Sequence, residues 1–350
     1  MYLEYFLLAF ILCFSITPIV RITMRSFKVV DEPKLEARKI HKKKISLGGG
    51  LAVFISFFVI IFFILIFTDK LRTDVGLNHL LGFFLGGLIL MVGGFLDDKY
   101  RLKAKQQIIA PILATLIVIA FGVGPDIITN PVGGVINLQI FQLTLNNAVN
   151  WFWLADLVVF IWLMIMMFTT KLLDGLDGLV TGIVLIGAMM IGFLSLQDLW
   201  LQPDVALLSF IFAGACFGFL IWNWHPAKIF LGEGGSLFLG FMLGGLAIIS
   251  GGKIATTLLV LGLPMIDMVR VVVERIKKGK PFYEGDSEHL HFRLLQSGFS
   301  QKQAVLLFYA IAFLFGISTL FLQSSQKLIA LLFLFVLMML AGVYFSKKNK

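Results

Sequence analysis

Eleven apolar runs constrain the fold of this 350-residue chain more than any other feature of its sequence. Each run is long enough, or nearly so, to cross a lipid bilayer as a helix. We therefore predict an all-α polytopic membrane protein with eleven transmembrane helices, built as a single transmembrane domain over residues 1–350. The predicted spans are 2–22, 47–67, 77–96, 107–124, 151–168, 179–196, 205–222, 229–250, 254–272, 303–322 and 327–345.

The composition agrees with a membrane protein. Hydrophobic residues make up 59% of the chain and charged residues 14%, whereas a soluble domain is about half apolar and a quarter charged. The net charge of +9 could indicate nucleic-acid binding, but the basic residues lie in short loops between apolar runs. We therefore predict no nucleic-acid partner. Cys13 and Cys216 lie inside apolar runs, so we interpret both as small core residues.

The Lys and Arg residues predict an orientation. With the N-terminus outside, 25 of the 29 fall on the inner side and four on the outer side. This predicts an external N-terminus and a cytoplasmic C-terminus in the cell membrane. The apolar stretch from Tyr2 to Val20 has no basic n-region, which favours a retained first span over a signal peptide. Alternating residues within 124–150 predict a short β-hairpin on the outer face.

A short acidic stretch, residues 171–179, separates two of the apolar runs. Asp174 and Asp177 are three residues apart, so on a helical turn they would point to one side. Gly175 and Gly178 would let a ligand approach the backbone closely. Acidic residues at the end of a membrane helix are costly unless they pair, bind a cation or face water. We therefore interpret the stretch as the centre of a functional site.

Other unusual polar residues flank spans on the same predicted inner face. Their shared face predicts one site that is open to the cytoplasm and the inner leaflet. They are Asp97, Asp98, Lys171, Asn223, His225, Lys228, Glu233, Asp286, His289, His291 and Arg293.

These residue types favour phosphoryl transfer. Carboxylates without cysteine ligands suit a hard cation such as Mg²⁺, with Mn²⁺ as a substitute, and Lys and Arg suit phosphates.

The glycine-rich turn 232–236 could hold an anion at a helix start, or could simply allow close helix packing. Taken alone, Asp97 and Asp98 could equally be solvated helix ends, and His289 and His291 are weak signals. A membrane location points to a lipid-borne substrate.

At these residues the chain resembles the polyprenyl-phosphate N-acetylhexosamine-1-phosphate transferases, the glycosyltransferase family 4 of the MraY, WecA and TagO enzymes. The resemblance runs from Asp31 to about Val305, and its histidine motif is closer to the WecA/TagO branch. The matching motifs are Arg38-Lys39-Ile40-His41 with Gly48-Gly49-Gly50, Phe95-Leu96-Asp97-Asp98 with Lys105, Asp174 to Leu179, Asn223 to Gly232 with Gly235-Ser236, and His289 to Leu295 with Asp286.

Four motif positions depart from the family pattern. Lys171 and Phe168 stand where the family commonly has asparagines, and Phe292 replaces a histidine. Glu233 replaces the metal-binding aspartate, which moves the carboxylate by one methylene. Lys171 would contact a phosphate or pair with Glu233. The acidic residues are all retained, which favours an active enzyme.

The resemblance implies transfer of a sugar 1-phosphate, by preference N-acetylglucosamine 1-phosphate, from a UDP-sugar to undecaprenyl phosphate with release of UMP. The implied site is cytoplasmic. Its catalytic residues would be Asp97, Asp98, Asp174 and Asp177, its substrate-binding residues Lys105, Lys171, Asn223, His289, His291 and Arg293, and its metal ligands Glu233 and Asp177.

Three alternatives remain open at this stage. The donor could be another UDP-N-acetylhexosamine or UDP-MurNAc-pentapeptide. The chain could instead be a lipid transporter, although its mid-span segments are nearly free of charge. It could also be a scaffold that has lost catalysis. The sequence does not decide the oligomeric state, for which a homodimer is one option.

Overall fold

The computed structural model describes residues 1–32, 44–71, 73–124, 153–198, 201–251, 253–277, 279 and 289–348, together with four short strands within 127–151. Several predicted features lie outside the described residues: the first motif from Arg38 to His41, Asp286, and the alternating positions Leu138 and Ile140. For 324 and 338–348 the backbone alone is described.

The described chain is mostly helical, and several of its helices are long and apolar enough to cross a membrane, which agrees with the predicted polytopic membrane protein. Its helices are α1 Tyr2–Ser26, α2 Gly50–Phe67, α3 Leu77–Tyr100, α4 Ala104–Gln107, α5 Ile109–Ala120, α6 Trp153–Leu173, α7 Leu179–Ser195, α8 Pro203–Asn223, α9 Glu233–Ile249, α10 Ile254–Val260, α11 Gly262–Lys277, α12 Leu290–Gln296, α13 Gln301–Ser318 and α14 Ser324–Lys348.

Among the described residues, six helices are long and apolar enough to cross a membrane: α1, α2, α3, α6, α8 and α13. The pair α10 and α11 would add a seventh as one broken span. Shorter apolar helices occupy the remaining predicted runs, at 104–120, α7, α9 and 325–337. The count of eleven spans and their orientation therefore stay predictions.

Three short antiparallel strand pairs complete the described secondary structure. They are β1 Val30–Asp31 with β2 Ile45–Ser46, β3 Ile127–Thr129 with β4 Val135–Asn137, and β5 Leu143–Leu145 with β6 Val149–Trp151. The last two pairs occupy the segment for which a single hairpin was predicted. In the described residues that segment contains two strand pairs, and the membrane face on which they lie stays a prediction.

Two predicted spans differ in their boundaries or shape. The run 254–272 is bent by 75° between α10 and α11, where Pro264, near the α11 start, lacks an N–H for a bond across the break. The run 229–250 becomes helical only at Glu233. Its first residues instead pair with the backbone before α2, where Phe230 donates to Ser46 and accepts from Gly49.

Helix α9 lies in the middle of the bundle and packs against α2, α3 and α6. At its start the backbones approach closely, because a Cβ atom on Gly50 would lie 2.0 Å from Gly235 Cα, and one on Gly94 would lie 2.0 Å from Gly234 N. Of the two interpretations of the glycine-rich turn, the structure therefore supports close helix packing. Phe54 and Phe238 fill the adjoining core. Cys13 and Cys216 are buried, as predicted, and both are free thiols.

The two ends of the bundle carry different polar groups. We call the end with Asp98, Lys171 and Glu233 the inner end, after its predicted orientation, and the end with Asp204 and Lys253 the far end. Helices α3 and α8 run toward the predicted site and α7 and α9 run away from it, so each connects the two ends. At 1.5 Å per residue these helices are about 25 to 35 Å long, roughly a bilayer core.

Candidate active site

The aspartate pair ends helix α3 and meets the start of helix α9. Asp98 is half-buried, and its Oδ1 accepts a hydrogen bond from the Glu233 backbone N–H at 3.2 Å. Gly232 precedes that helix with a φ of +77°, and a Cβ atom there would lie 2.5 Å from Asp98 Oδ2. The positive end of the α9 dipole stabilises the negative charge of Asp98 at this position.

Asp97 has a different environment from its neighbour. It is buried, and its Oδ1 accepts from the Leu102 backbone N–H at 2.9 Å and from Gln107 Nε2 at 3.2 Å. These bonds hold the short segment that joins α3 to α4. Asp97 therefore orders the loop between α3 and α4, while Asp98 faces Glu233.

Lys171 joins these acids into one series of side-chain contacts, here called the circuit. Its Nζ donates to Gln107 Oε1 at 3.0 Å and lies 2.8 Å from Glu233 Oε2. The contact with Glu233 is an ion pair by distance, but its angles are not those of a hydrogen bond. The predicted pairing of Lys171 with Glu233 is confirmed. The circuit runs from Asp97 through Gln107, Lys171 and Glu233 to Asp98, and it joins α3, α4, α6 and α9.

Asp174 and Asp177 do not share a helical turn, which corrects the prediction from their spacing. Helix α6 ends at Leu173, and the next helix begins only after Gly178, whose φ is +78°. The side chain of Asp174 keeps access to solvent although many protein atoms surround it. These surroundings, together with the negative charges of Glu233 and Asp177, raise the pKa of Asp174 to about 8.

Asp177 orders the loop that precedes α9. Its Oδ2 lies 2.7 Å from His225 Nδ1 and accepts from the Ala227 backbone N–H at 3.1 Å. An ionised carboxylate can only accept, so His225 Nδ1 carries the proton in this pair.

Asn223 holds the same loop from inside the protein. Its Oδ1 accepts from Gly178 N and Thr181 Oγ1, and its Nδ2 donates to Ile229 O, each at 3.1 Å. Asn223 is therefore placed as a buried brace, and the predicted contact with substrate stays a prediction.

The histidine motif packs against residues 174–178, here called the acidic turn. His289 and His291 are 6% and 1% exposed, and their rings stack 5.6 Å apart. His291 Nε2 is aimed at Gly175, because a Cβ atom on that glycine would lie 2.4 Å from it. Burial, with a smaller effect from the charge of His289, lowers the pKa of His291 to about 3, so the ring is neutral. The predicted donor contacts of these histidines stay predictions.

The two remaining predicted substrate contacts differ in exposure. Lys105 is exposed on α4, two residues before Gln107. The Arg293 side chain is 14% exposed, and its Nη2 lies 3.4 Å from Glu274 Oε2. Lys105 is therefore free to reach an anionic ligand at the surface, whereas Arg293 is engaged with α11.

Oxygen donors of the kind that Mg²⁺ prefers are present in the circuit. Glu233 Oε2 is buried and accepts no hydrogen bond, which leaves it able to bind a cation. Asp177 Oδ2 already accepts two hydrogen bonds. Within the described part of the chain, no three acidic, histidine or cysteine groups converge as a metal site, so the predicted metal stays a prediction. The donor type fits Mg²⁺, and the ammonium of Lys171 occupies one side of Glu233.

The sequence did not identify three residues that organise this site. Gln107 bridges Asp97 and Lys171, Tyr309 donates its hydroxyl to Gly178 O, and Asp267 contacts His289. Gln107 and Tyr309 are polar groups in or beside apolar runs, which is the only sequence signal they give. Asp267 is a single acidic residue within the predicted span 254–272, which is its only sequence signal.

Comparison with known proteins adds independent evidence. Residues 80–251 match the model of "Glycosyl transferase family 4". The chain is 30% identical to a probable undecaprenyl-phosphate N-acetylglucosaminyl 1-phosphate transferase of Bacillus subtilis, over 95% of this chain and 88% of that protein. It is 29% identical to a decaprenyl-phosphate N-acetylglucosaminephosphotransferase of Mycobacterium leprae, over 87% and 79%. It is also 28% identical to a phospho-N-acetylmuramoyl-pentapeptide-transferase of Halalkalibacterium halodurans, over 91% and 96%.

Proposed function

The chain belongs to glycosyl transferase family 4, the polyprenyl-phosphate hexosamine-1-phosphate transferases, and from this we propose that it transfers N-acetylglucosamine 1-phosphate from UDP-N-acetylglucosamine to undecaprenyl phosphate. The observation that carries the proposal is the circuit of Asp98, Glu233 and Lys171 beside the solvent-open Asp174. Such a cluster of acids and a cation suits a substrate that brings phosphates and metal together.

In the proposed reaction, an oxygen of the lipid phosphate attacks the sugar-side phosphorus of the donor. A new P–O bond forms, the bond between the two donor phosphates breaks, and UMP leaves with the electron pair. Lys171 neutralises part of the negative charge on the phosphates, because its ammonium is already held at the site by Gln107. Lys105 contributes a second cation from the surface.

Asp98 is the acid of the aspartate pair that we expect to orient the lipid phosphate, since Asp97 is committed to the loop after α3. A phosphate monoester loses its second proton near neutral pH, so a strong base is not required. Asp174 would contact the nucleotide or the metal.

We propose that Glu233 holds Mg²⁺, with Asp174 or Asp177 as a second ligand. Bound there, Mg²⁺ would supply positive charge that stabilises the diphosphate as it separates, worth several kcal/mol of barrier. A cation would also favour the ionised form of Asp174.

We further propose that the site opens to the cytoplasm, with the N-terminus outside. The charge distribution supports this orientation. Single cysteines placed at Lys103 and at Ser287 should react with a membrane-impermeant thiol reagent only after the inner face is exposed, and a cysteine at Lys70 should react in intact cells. Labelling of Lys103 from outside would contradict the proposed orientation.

The decisive experiment is a donor screen with the purified protein and undecaprenyl phosphate, in which both UMP and the lipid product are measured. We expect UMP release with UDP-N-acetylglucosamine and little with UDP-MurNAc-pentapeptide, the donor class suggested by the third relative's name. Release only with the second donor would change the assigned substrate. No UMP with any donor would favour the transporter or scaffold alternatives.

A further inference from the structure

Three charged residues share one face of helix α11, which follows the bend after α10. Asp267, Arg270 and Glu274 are spaced by three and four residues, which places them together on one side. Arg270 joins its two neighbours, with Nη2 2.7 Å from Asp267 Oδ1 and Nη1 2.8 Å from Glu274 Oε1. Asp267 is 4% exposed, so this ion pair is shielded from water.

The same face receives the histidine motif. Asp267 Oδ2 accepts a hydrogen bond from the Leu290 backbone N–H at 2.9 Å and lies 3.0 Å from His289 Nδ1. Glu274 Oε2 lies 3.4 Å from Nη2 of Arg293, which is three residues after Leu290 in α12. The carboxylate of Asp267 therefore fixes both the start of α12 and the ring of His289, whose Nδ1 must carry the proton.

The contacts continue from His289 to the acidic turn. The His289 and His291 rings stack with an angle of 6° between their planes. His291 is almost fully buried, and its Nε2 is the atom that a side chain on Gly175 would meet at 2.4 Å. Gly175 directly follows Asp174. A continuous set of packed groups thus connects Asp267 on α11 with the acid that is open to solvent.

We propose that Asp267 is a positioning residue for Asp174: through His289 and His291 it fixes where the turn 174–178 stands relative to Glu233. Asp267 itself touches no substrate. The kinetic part of this inference rests on the proposed transferase activity, while its structural part does not.

The test compares two buried aspartates that have similar local bonds but lie at different ends of the bundle. Asp204 is 5% exposed and accepts from Thr73 N and Asp74 N, each at 2.8 Å. Asp267→Asn and Asp204→Asn each keep the side-chain volume and remove one buried charge. Both variants should lose thermal stability, so stability alone cannot separate them.

We expect the kinetics to separate them. Asp267→Asn should lower kcat/KM for UDP-N-acetylglucosamine at least tenfold while KM for undecaprenyl phosphate stays within twofold. Asp204→Asn, measured at a temperature at which both variants are folded, should stay within twofold of wild type. Gly175→Ala, which displaces His291, should reproduce the effect of Asp267→Asn. The double variant that combines Asp267→Asn with Gly175→Ala should have a kcat/KM no more than about twofold below that of the poorer of these two single variants.

A second measurement does not depend on activity. Hydrogen–deuterium exchange of backbone amides in 171–178 should become faster in Asp267→Asn and stay unchanged in Asp204→Asn. Unchanged exchange in this segment, or kinetics that follow only the folded fraction as in Asp204→Asn, would overturn the inference. Absence of UMP release by the wild type would refute the proposed function, and the exchange comparison would still decide the positioning role.

Discussion

Both ends of the bundle contain buried or half-buried ionisable side chains, but the two ends differ in how completely the protein supplies hydrogen-bond partners for them. At the far end, Asp204 accepts from Thr73 N, Thr73 Oγ1 and Asp74 N. Lys253 there donates to Ser195 Oγ at 2.7 Å and Gln202 Oε1 at 2.8 Å. Neighbouring segments of the protein therefore supply hydrogen-bond partners for both side chains.

At the inner end, two acidic side chains remain able to bind a ligand. Asp174 keeps access to solvent, and Glu233 Oε2 is buried beside an ammonium without an oriented hydrogen bond. Burial of a charge is therefore a poor marker of function in this molecule. The two ends are distinguished by whether the protein supplies all hydrogen-bond partners of an ionisable group or leaves some positions open to a ligand.

The largest expected difference between the two ends concerns turnover. We expect Asp98→Asn and Asp174→Asn each to lower UMP release at least about 100-fold, because Asp98 would orient the lipid phosphate and Asp174 would contact the nucleotide or the metal. Their thermal unfolding should change little, since both side chains keep contact with water. Asp204→Asn provides the control, with turnover per folded molecule unchanged. Full turnover in both inner-end variants would remove them from the mechanism.

The second prediction concerns stability at the far end. Asp204→Ala leaves three donors in the Thr73–Asp74 segment without their acceptor, so the free energy of unfolding should fall by about 2 kcal/mol. The matched control is Asp198→Ala, which removes an exposed acid close by in sequence. Thermal or denaturant unfolding in detergent measures the difference. Equal stability of the two variants would show that the Asp204 bonds contribute nothing.

A pH dependence of stability would sharpen the same contrast. Burial, followed by the charge of Lys327, lowers the pKa of Lys253 from 10.5 to about 7. Between these values the unfolded chain binds the proton more readily than the folded chain. Stability should therefore rise with pH across this window, by at most about 1.4 kcal/mol per pH unit, and should be lost as the pH falls toward 7.

Lys253→Met removes this proton-binding difference. We expect the stability of wild type relative to Lys253→Met to increase by about 1 kcal/mol between pH 7.5 and 8.5. Thermal unfolding at several pH values measures this relation, with Lys103→Met, at an exposed lysine, as the control. A relative stability that is constant with pH would mean that Lys253 is no harder to protonate in the folded protein.

The sequence predicted the helical architecture well because apolar runs report directly on membrane helices. It was less accurate at Ile229 to Leu231, since these apolar residues pair with the backbone before α2 and would look the same in a helix. The bend after α10 was also missed, because Gly262 and Pro264 are compatible with the first turn of a new helix or with a kinked span.

The sequence predicted which residues come together at the site, but not how they contact one another. A shared membrane face was sufficient to bring Asp98, Lys171 and Glu233 together. It could not reveal which atoms pair, because Gln107 and Asp267 act through contacts between residues that are far apart in the sequence. Spacing alone was misleading for Asp174 and Asp177, where glycines end the helix and the two acids acquire different surroundings.

The smallest expected effect tests the most unusual part of the inner end, the ion pair of Lys171 with Glu233. The ammonium competes with a divalent cation for the carboxylate and also supplies charge to the phosphates. Lys171→Asn should therefore make turnover depend more strongly on Mg²⁺, and Glu233→Asp should be partly rescued by added Mg²⁺.

If the two residues act around one metal and one diphosphate, the double variant should differ from the sum of the single variants by more than about 0.5 kcal/mol in activation free energy. The measurement is UMP release against Mg²⁺ concentration for wild type, both single variants and the double variant. The exposed pair of Lys44 and Glu32, at 2.6 Å, provides a control cycle in which the Mg²⁺ response should not change. Strict additivity at the inner pair, with the metal dependence also unchanged, would show that Lys171 and Glu233 act independently and that Mg²⁺ does not bind at Glu233.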